Sequence, residues 1–279
     1  MEICVLEKSS NKLRLSIRGA SLPLVNAIRR ACYIEVPVMA IDIVEVFDNN
    51  TVLYDEIIAH RLGLIPLTSS EALKKYKRPE ECANAQLGDP DCYVTLRLDA
   101  ETGPREERVV YSGDLETSDP DVKPAFENIP IVIMAPDQRL RLQAYARLGY
   151  GREHAKWMPV SVAVHKYLPI LVFDLEKASK ECIECIEASY PWVAEQMKKL
   201  GKGELKITDD VNTSALYWCT VKHCGDAVQL RFDDNQFLFK IESTGALSPE
   251  EVVREAVRAI VRKAENLLSE IARLRREEG

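Results

Sequence analysis

A helix near the carboxy terminus constrains the fold of this 279-residue chain more than any other feature. Ser248-Pro249-Glu250-Glu251 is a capping box with proline at the first helical position, and it predicts a helix that runs to about Arg275. Apolar residues recur along this helix at steps of four and three, and we call them the heptad stripe: Val253, Val257, Ile260, Ala264, Leu267, Ile271 and Leu274. A period of 3.5 residues is typical of a helix that packs along another helix.

The length of this helix indicates a partner. At 1.5 Å per residue it would extend on the order of 40 Å, which is longer than a domain of this size needs to cover its own sheet. We therefore expect a second helix to pack along the heptad stripe. The alternative is an ordinary amphipathic helix whose apolar face packs on the core of its own chain.

Strand patterns lie at both ends of the chain. Residues 2–18 predict two strands, and in the second Leu13, Leu15 and Ile17 alternate with polar residues. Residues 227–241 predict a hairpin, closed by a turn at 233–235 and completed by a second strand over 237–241. With the long helix, these segments predict one discontinuous α+β domain built from the two ends of the chain.

The stretch 26–66 predicts a short helix, a hairpin-like pair of strands and a second helical turn closed by Gly63 and Pro66. The first helix begins after Ser21, with Pro23 in its first turn. At 100° per residue one side should face the core and the other should be polar; the two sets are Leu24, Ile28, Ala31 and Cys32, and Asn26, Arg29, Arg30 and Tyr33. Adjacent arginines alone would indicate only a solvated face.

The order of residues in this stretch changes that interpretation. The positions concerned are Asn26-Ala27-Ile28-Arg29-Arg30, Ala40, Val44, Asn49, Thr51, Asp55-Glu56, Arg61-Leu62-Gly63 and Pro66. They resemble the signature of the RNA polymerase subunit family that comprises the eukaryotic third-largest subunit, its archaeal counterpart and the bacterial alpha amino-terminal domain. Many fixed positions at fixed gaps make this motif far more specific than a lone glycine loop. The segment 153–159 also resembles the family, which has a similar H-A-K-W sequence in its insertion domain.

The resemblance implies a division into domains. A dimerisation domain would comprise 1–45 and 227–279, with a mostly-β insertion domain at 46–172 and a small degenerate ferredoxin-like domain at 173–226. Strand-like runs separated by Gly and Pro favour the insertion domain, at 93–98, 108–112, 131–134, 161–165 and 170–173. A basic cluster is predicted to lie in solvated loops: Arg139, Arg141, Arg147, Arg152 and Lys156. His154 is predicted to pack or to cap a turn, because no second ligand stands near it at metal spacing.

Eight cysteines leave several interpretations open. Cys4 and Cys32 fall in apolar patterns that predict core thiols. In the region of the ferredoxin-like domain, Cys182-x2-Cys185 and Cys219-x4-Cys224 lack the third ligand of a ferredoxin C-x2-C-x2-C run. We expect no cofactor there, with the thiols free or disulfide-bonded; the alternatives are a zinc ion or an iron–sulfur cluster on Cys182, Cys185, Cys219 and Cys224. Cys82 and Cys92 are too few for structural zinc, and their pairing is left open.

Composition limits the class of function. A net charge of −7 and a pI near 5.4 argue against direct DNA binding, which needs clustered Lys and Arg. With no run of eighteen apolar residues and no charged-then-apolar leader, we expect a cytoplasmic protein without a membrane segment. No motif places catalytic carboxylates, a phosphate-binding loop or an activated nucleophile.

The resemblance therefore implies a non-catalytic scaffold within DNA-directed RNA polymerase, a nucleotidyltransferase. Its expected partners are an L-type subunit as heterodimer, small zinc-binding N- and P-type subunits, and the second-largest polymerase subunit. Candidate interface residues are Asn26, Arg29, Arg30, Glu56 and Arg61, together with Val253, Val257, Ile260, Ala264, Leu267 and Ile271. The alternative function is a small metal- or redox-sensing protein that uses Cys182 to Cys224, which would leave the 26–66 signature unexplained.

Overall fold

The computed structural model describes residues 1–277, and side chains up to residue 275. The chain is a mixed α/β protein whose strands pair antiparallel, as the α+β prediction requires. In chain order its elements are β1 (Glu2–Lys8), β2 (Lys12–Arg18), α1 (Leu22–Ile34), β3 (Val38–Asn49), α2 (Asp55–Gly63), α3 (Ala72–Lys75), β4 (Tyr93–Glu101), β5 (Arg108–Tyr111), β6 (Glu116–Thr117), β7 (Pro130–Met134), β8 (Arg139–Gly149), β9 (Val160–Asp174), α4 (Lys180–Ser189), α5 (Pro191–Leu200), β10 (Lys202–Lys206), α6 (Thr213–Cys219), β11 (Val228–Ser243) and α7 (Pro249–Glu277).

Contacts group the chain into two units, and the first comprises residues 1–8, 14–25 and 164–240. Its five-stranded sheet has the order β1-β2-β11-β9-β10. In the last pair Lys202 lies opposite Asp174 and Lys206 opposite Ile170. Helices α4, α5 and α6 bury an apolar cluster that includes Ile186, Met197 and Leu216.

The second unit comprises residues 9–13, 26–163 and 241 onward. It contains a four-stranded sheet of order β3-β8-β4-β6 and a two-stranded sheet of β5 and β7. Ala146 of β8 lies opposite both Ile41 and Val94, so β8 is an interior strand. The core of the second unit is an apolar cluster larger than that of the first unit, and it includes Ile58 and Leu62 of α2. The predicted three-domain borders remain predictions, and residues 278 and 279 of the predicted dimerisation domain lie outside the described residues.

Two strand predictions in the second unit are wrong. The hairpin-like pair of strands within 26–66 is a single strand, β3, whose partner is β8. The basic cluster predicted as loop supplies three residues of β8: Arg139, Arg141 and Arg147. Leu140, Leu142, Ala144, Ala146 and Leu148 alternate with them and are buried. The two-residue period of a strand is present in β8, but the charged side chains on its outer face favoured a solvated-loop interpretation.

The predicted breaks in two other strands are also absent. The runs at 161–165 and 170–173 belong to one strand, β9, and the predicted hairpin at 227–241 is the single strand β11. Asp233, Asp234 and Asn235 favour turns locally, yet β11 has a neighbour on each side, β2 and β9. Sheet pairing therefore overrides the local turn preference. One bond near this point joins the Gly19 amide to the Asn235 carbonyl at 2.9 Å.

Helix α1 begins at Leu22, so Ser21 occupies the predicted cap position. The predicted core side is partly wrong: Leu24 is 41% exposed, whereas Val25 is fully buried. Cys32 is buried as predicted, and burial raises the pKa of its thiol to about 12. Cys4 is exposed, which corrects the prediction of a core thiol, because β1 is an edge strand with little covering it.

Candidate partner-binding surface

The capping box predicted for α7 is present. The Ser248 amide donates to Glu251 Oε2 at 3.0 Å, and the Glu251 amide donates to Ser248 Oγ at 3.4 Å. Ser70 also donates its hydroxyl to Glu251 at 3.0 Å. Burial would raise the pKa of Glu251, but these hydrogen bonds from Ser248 and Ser70 outweigh it and lower the pKa. The start of the helix is therefore fixed by charge-assisted hydrogen bonds.

Helix α7 packs on its own chain through a face next to the heptad stripe. The buried apolar residues are Val252, Ala256 and Ala259. Each stands one residue before a stripe member, which is a rotation of about 100° around the helix. Buried Glu255 lies on the same side and pairs with Arg258 at 2.6 Å and with Arg262 at 4.0 Å. The chain thus has a core-facing side of α7 that is distinct from the stripe.

The heptad stripe itself lies open. Val253 and Ile260 are half-buried, and the remaining members are exposed: Val257, Ala264, Leu267, Ile271 and Leu274. Leu267 is 62% exposed, in a part of α7 where no residue between Ile260 and Arg275 is buried. Large exposed apolar stripes on a helix mark sites of protein interaction.

Sequence reasoning missed two members of this surface. Val261 and Leu268 are exposed large apolar residues, and Leu268 is 67% exposed. They fall outside the chosen steps of four and three, but they are seven residues apart. A search for a second heptad series beside the first would have identified Val261 and Leu268. These two residues widen the apolar surface of α7.

The predicted polar residues of α1 lie on one helix face. Asn26 Oδ1 accepts from Arg29 Nε at 2.9 Å, which orients the Arg29 side chain along the helix. Arg30 is exposed, and Asn26 and Arg29 are half-buried. Within the described part of the chain, neither Arg29 nor Arg30 forms an ion pair.

The residues predicted around α2 have mainly structural contacts. Arg61 Nη2 donates to the Pro130 carbonyl at 2.6 Å, while Glu56 is exposed. Asn49 donates through Nδ2 to Asp55 Oδ1 at 2.7 Å and accepts from the Thr51 amide at 3.0 Å. These bonds shape the turn before α2 and account for three positions of the 26–66 signature. Among the described residues, no recorded bond joins the α1 set to the α2 set.

The segment 153–159 holds an ion-pair cluster. His154 Nδ1 accepts from the Lys156 amide at 3.0 Å, which confirms the predicted capping role. The Nζ of Lys156 lies 2.6 Å from Asp42, and Nε of Arg147 lies 2.7 Å from the same carboxylate. Both cations also contact the Trp157 ring, at 4.3 and 4.4 Å from its centroid. The cluster joins β3, β8 and the turn before β9.

Comparison with known proteins assigns the family. A family described as the RNA polymerase Rpb3/RpoA insert domain matches residues 41–170. DNA-directed RNA polymerase subunit Rpo3 of Aeropyrum pernix is 45% identical over 277 residues, which is 99% of this chain and 96% of that protein. The Rpo3 subunits of Methanothermobacter thermautotrophicus and Thermococcus kodakarensis are each 37% identical, over 96% and 98% of this chain and 98% and 99% of theirs.

The chain belongs to the archaeal Rpo3 family of RNA polymerase subunits. The resemblance found in residues 26–66 is thereby confirmed. The matched region overlaps the predicted insertion domain, and in this Rpo3-family chain it contains both sheets of the second unit apart from the first residues of β3. As a polymerase subunit, the chain partners with other polymerase subunits.

The cysteines of this Rpo3-family chain form three disulfides. Cys182 pairs with Cys224 and Cys185 with Cys219, while Cys82 pairs with Cys92. An iron–sulfur cluster or a zinc site needs thiolates, which a disulfide does not supply. The four clustered cysteines therefore do not fit either group in this form. In the described part of the chain, no group of three or more His, Cys, Asp or Glu residues is arranged to hold a metal.

No helix among the described residues combines the length and apolar content needed to cross a membrane. Helix α7 has 29 residues, but charged side chains interrupt its apolar positions throughout.

Proposed function

We propose that the chain is a non-catalytic assembly subunit of DNA-directed RNA polymerase, and that α7 pairs with a helix of a smaller, L-type subunit. The open heptad stripe of α7 is the observation that carries this proposal. A helix that served only its own chain would bury its apolar stripe, whereas here a neighbouring face is buried and the stripe is not. The polymerase role follows from the Rpo3 relatives.

The exposed apolar residues of α7 offer surface that a partner helix can bury. Burying one large apolar side chain contributes about 1.5–3 kcal/mol. Leu267, Leu268, Ile271 and Leu274 all lie in the last described turns of α7, where they are exposed. A partner helix that covers several of them supplies the few strong contacts on which an interface depends.

The remaining subunits are assigned to other faces. We infer that the second-largest polymerase subunit binds the polar side of α1, with Arg29 and Arg30 as charged contacts, and that Glu56 and Arg61 of α2 also contribute to this interface. Small zinc-binding N- and P-type subunits would join the heterodimer. In this arrangement residues 1–45 and 227–279 act as the dimerisation domain, and 46–172 and 173–226 are inserted into it.

Catalysis is assigned to the other subunits. Nucleotidyl transfer uses carboxylates that hold two metal ions, and we infer that this chain contributes surfaces for assembly instead. The alternative of a metal- or redox-sensing protein is less favoured, because it explains neither the open stripe nor the full-length similarity to Rpo3 subunits.

The test is co-expression of the full chain with an L-type subunit, followed by size-exclusion chromatography with light scattering. A one-to-one heterodimer is expected, and addition of the second-largest subunit should give a larger complex. A chain that elutes alone at its monomer mass of 31.5 kDa in the presence of excess partner would show that the proposal is wrong.

A further inference from the structure

A cavity in the first unit is lined by positive charges and apolar side chains. Its volume is about 120 Å³, and strands β1, β2, β9 and β11 contribute its walls. The lining residues that matter here are Arg14, Val164, Lys166, Asp210, Leu238 and Lys240. Residues two apart on a strand point to the same face, so Val164 lies beside Lys166 and Leu238 beside Lys240. Each of these pairs presents one apolar and one cationic side chain.

Two of the three cations have carboxylate partners. Lys240 Nζ lies 2.7 Å from Asp210 Oδ2, and Arg14 Nη1 lies 3.1 Å from Glu7 Oε2. Lys166 differs, because its Nζ donates to the Val211 carbonyl at 3.0 Å and no ion pair to a carboxylate is recorded for it among the described residues. Arg14, Lys166 and Lys240 against Asp210 leave the cavity lining with net positive charge.

The surroundings of Lys166 disfavour its charged ammonium form. It is half-buried, and burial lowers its pKa. Asp210 acts in the opposite direction, while the charges of Arg14 and Lys240 lower the pKa further. An anion beside Lys166 would offset the loss of solvent and the repulsion by its neighbours.

We propose that this cavity binds a small carboxylate that carries a branched apolar stem, with the carboxylate on Lys166 and the stem against Val164 and Leu238. The volume sets the size of the ligand. A protein cavity of about 150 Å³ holds benzene, so 120 Å³ accommodates roughly the five carbon atoms of such an acid, while its two carboxylate oxygens accept hydrogen bonds from Lys166. Such a group is either a free short-chain acid or the carboxy-terminal residue of a peptide. The cavity lining shares no residue with α7, and the proposal does not depend on the polymerase role.

The direct test is titration of the full-length protein with 3-methylbutanoate, followed by NMR chemical shifts. Saturable binding is expected with a dissociation constant on the order of 1 mM, because the ligand has few atoms. The neutral amide of the same shape, 3-methylbutanamide, should bind at least tenfold more weakly, since it lacks the charge-assisted bond. Equal binding of acid and amide would overturn the proposal.

Two pairs of variants locate the site. Lys166→Met should weaken 3-methylbutanoate binding about tenfold or more, while Lys206→Met, an exposed lysine on β10 with the same change in charge, should leave it unaltered. Val164 is 47% exposed, so substitutions there should leave the fold intact. Val164→Asp should abolish binding by repulsion of the ligand carboxylate, whereas Val164→Asn, which has the shape of Asp but no charge, should only weaken it. Equal affinity in both members of either pair would overturn the assignment.

A final arm identifies the source of the carboxylate. Acetyl-Gly-Leu with a free carboxylate is added in competition with 3-methylbutanoate, and its amide serves as the control. Competition by the free acid alone supports the site with a peptide terminus as its ligand. Absence of competition by both peptides supports it with a free acid, and competition by the amide as well would overturn the role of charge.

Discussion

Lys156 donates through Nζ to Oδ1 of Asp42 at 2.6 Å, and this ion pair explains why the H-A-K-W segment has the residues it has. Lys156 reaches from the turn before β9 to β3, where Arg147 of β8 approaches the same carboxylate. Trp157 packs against both cations and is buried. The segment therefore stabilises the second unit by linking its strands, and it does not serve as a set of metal ligands.

Loss of the Asp42 carboxylate should destabilise the protein in a pH-dependent way. Burial would raise the pKa of Asp42, but hydrogen bonds from Lys156 and Arg147 outweigh it and hold the pKa below its ordinary value. A lowered native pKa means that the stabilisation is present above the unfolded pKa near 3.9 and is lost as the pH falls through the native value. We expect Asp42→Asn to lower the free energy of unfolding by about 1–3 kcal/mol at pH 7, and by less below roughly pH 4.

Urea unfolding at pH 7 and pH 3 measures this. Asp48→Asn, which removes an exposed carboxylate from the same strand, is the control and should have little effect. A deficit in Asp42→Asn that is equally large at pH 3 would contradict the ion-pair explanation.

The heptad stripe predicts a selective loss of assembly. Leu267→Asp would place a carboxylate within the apolar contact, and we expect association with the L-type subunit to weaken at least about a hundredfold, roughly 2.7 kcal/mol. Ser269→Asp adds the same charge to an exposed position on the opposite side of α7 and should change affinity little. The dissociation constants can be measured by fluorescence anisotropy with a labelled partner.

Because Leu267 is exposed in the free chain, neither variant should alter its thermal unfolding. If Leu267→Asp unfolds the free chain, or if both variants bind the partner equally, the stripe is not the interface.

The disulfide between Cys182 and Cys224 should contribute substantially to stability. It links residues 42 apart in sequence, and closing a loop of this size in the unfolded chain stabilises the native state by about 2–4 kcal/mol. Cys182→Ala/Cys224→Ala should lower the free energy of unfolding by that amount. Cys4→Ala, which removes an exposed free thiol, should have no comparable effect.

Chemical denaturation with and without a reductant provides the measurement. Reductant should lower the midpoint of the natural protein more than that of the double variant. Titration of unfolded, unreduced protein should detect only the two free thiols, Cys4 and Cys32. Eight reactive thiols would show that the pairing does not occur in solution.

Gly149 should tolerate no side chain. A Cβ there would stand 2.3 Å from Cε2 of Trp157, so the buried indole would have to shift. Gly149→Ala should therefore destabilise the second unit by about 1–3 kcal/mol through overpacking. At Gly103 the same atom would make only an ordinary contact, at 3.7 Å from Glu106, so Gly103→Ala is the control. Similar thermal midpoints for the two variants would contradict the argument.

Local patterns predicted some elements well and others not at all. The capping box located the start of α7, and strict alternation located β2, because both depend on near neighbours in sequence. Strand β8 was missed since its outer face is basic, and β3 was divided because its partner lies about a hundred residues later. The turn residues within β11 predicted a hairpin wrongly, because pairing with the distant strands β2 and β9 determines its extended conformation.

The candidate surface likewise combines features that local sequence predicts with features that depend on distant contacts. The sequence predicted the heptad stripe but not that Val252, Ala256 and Ala259 would pack on the chain and leave the stripe open. Four clustered cysteines allow three pairings, so the observed one depends on how α4, α6 and the segment 220–224 after it are arranged. Likewise, Asp42 and Lys156 are more than a hundred residues apart, and no local pattern joins them.

Because β2 pairs with β11, the sheet of the first unit cannot be completed until both strands have been synthesised. More than 200 residues separate the two strands, so at about 5–20 residues per second the ribosome needs roughly 10–40 s between them. Throughout that interval β2 lacks its neighbour β11, and an unpaired strand edge is a template for pairing with another chain. The nascent chain is thus exposed to aggregation through this edge until its last fifth emerges.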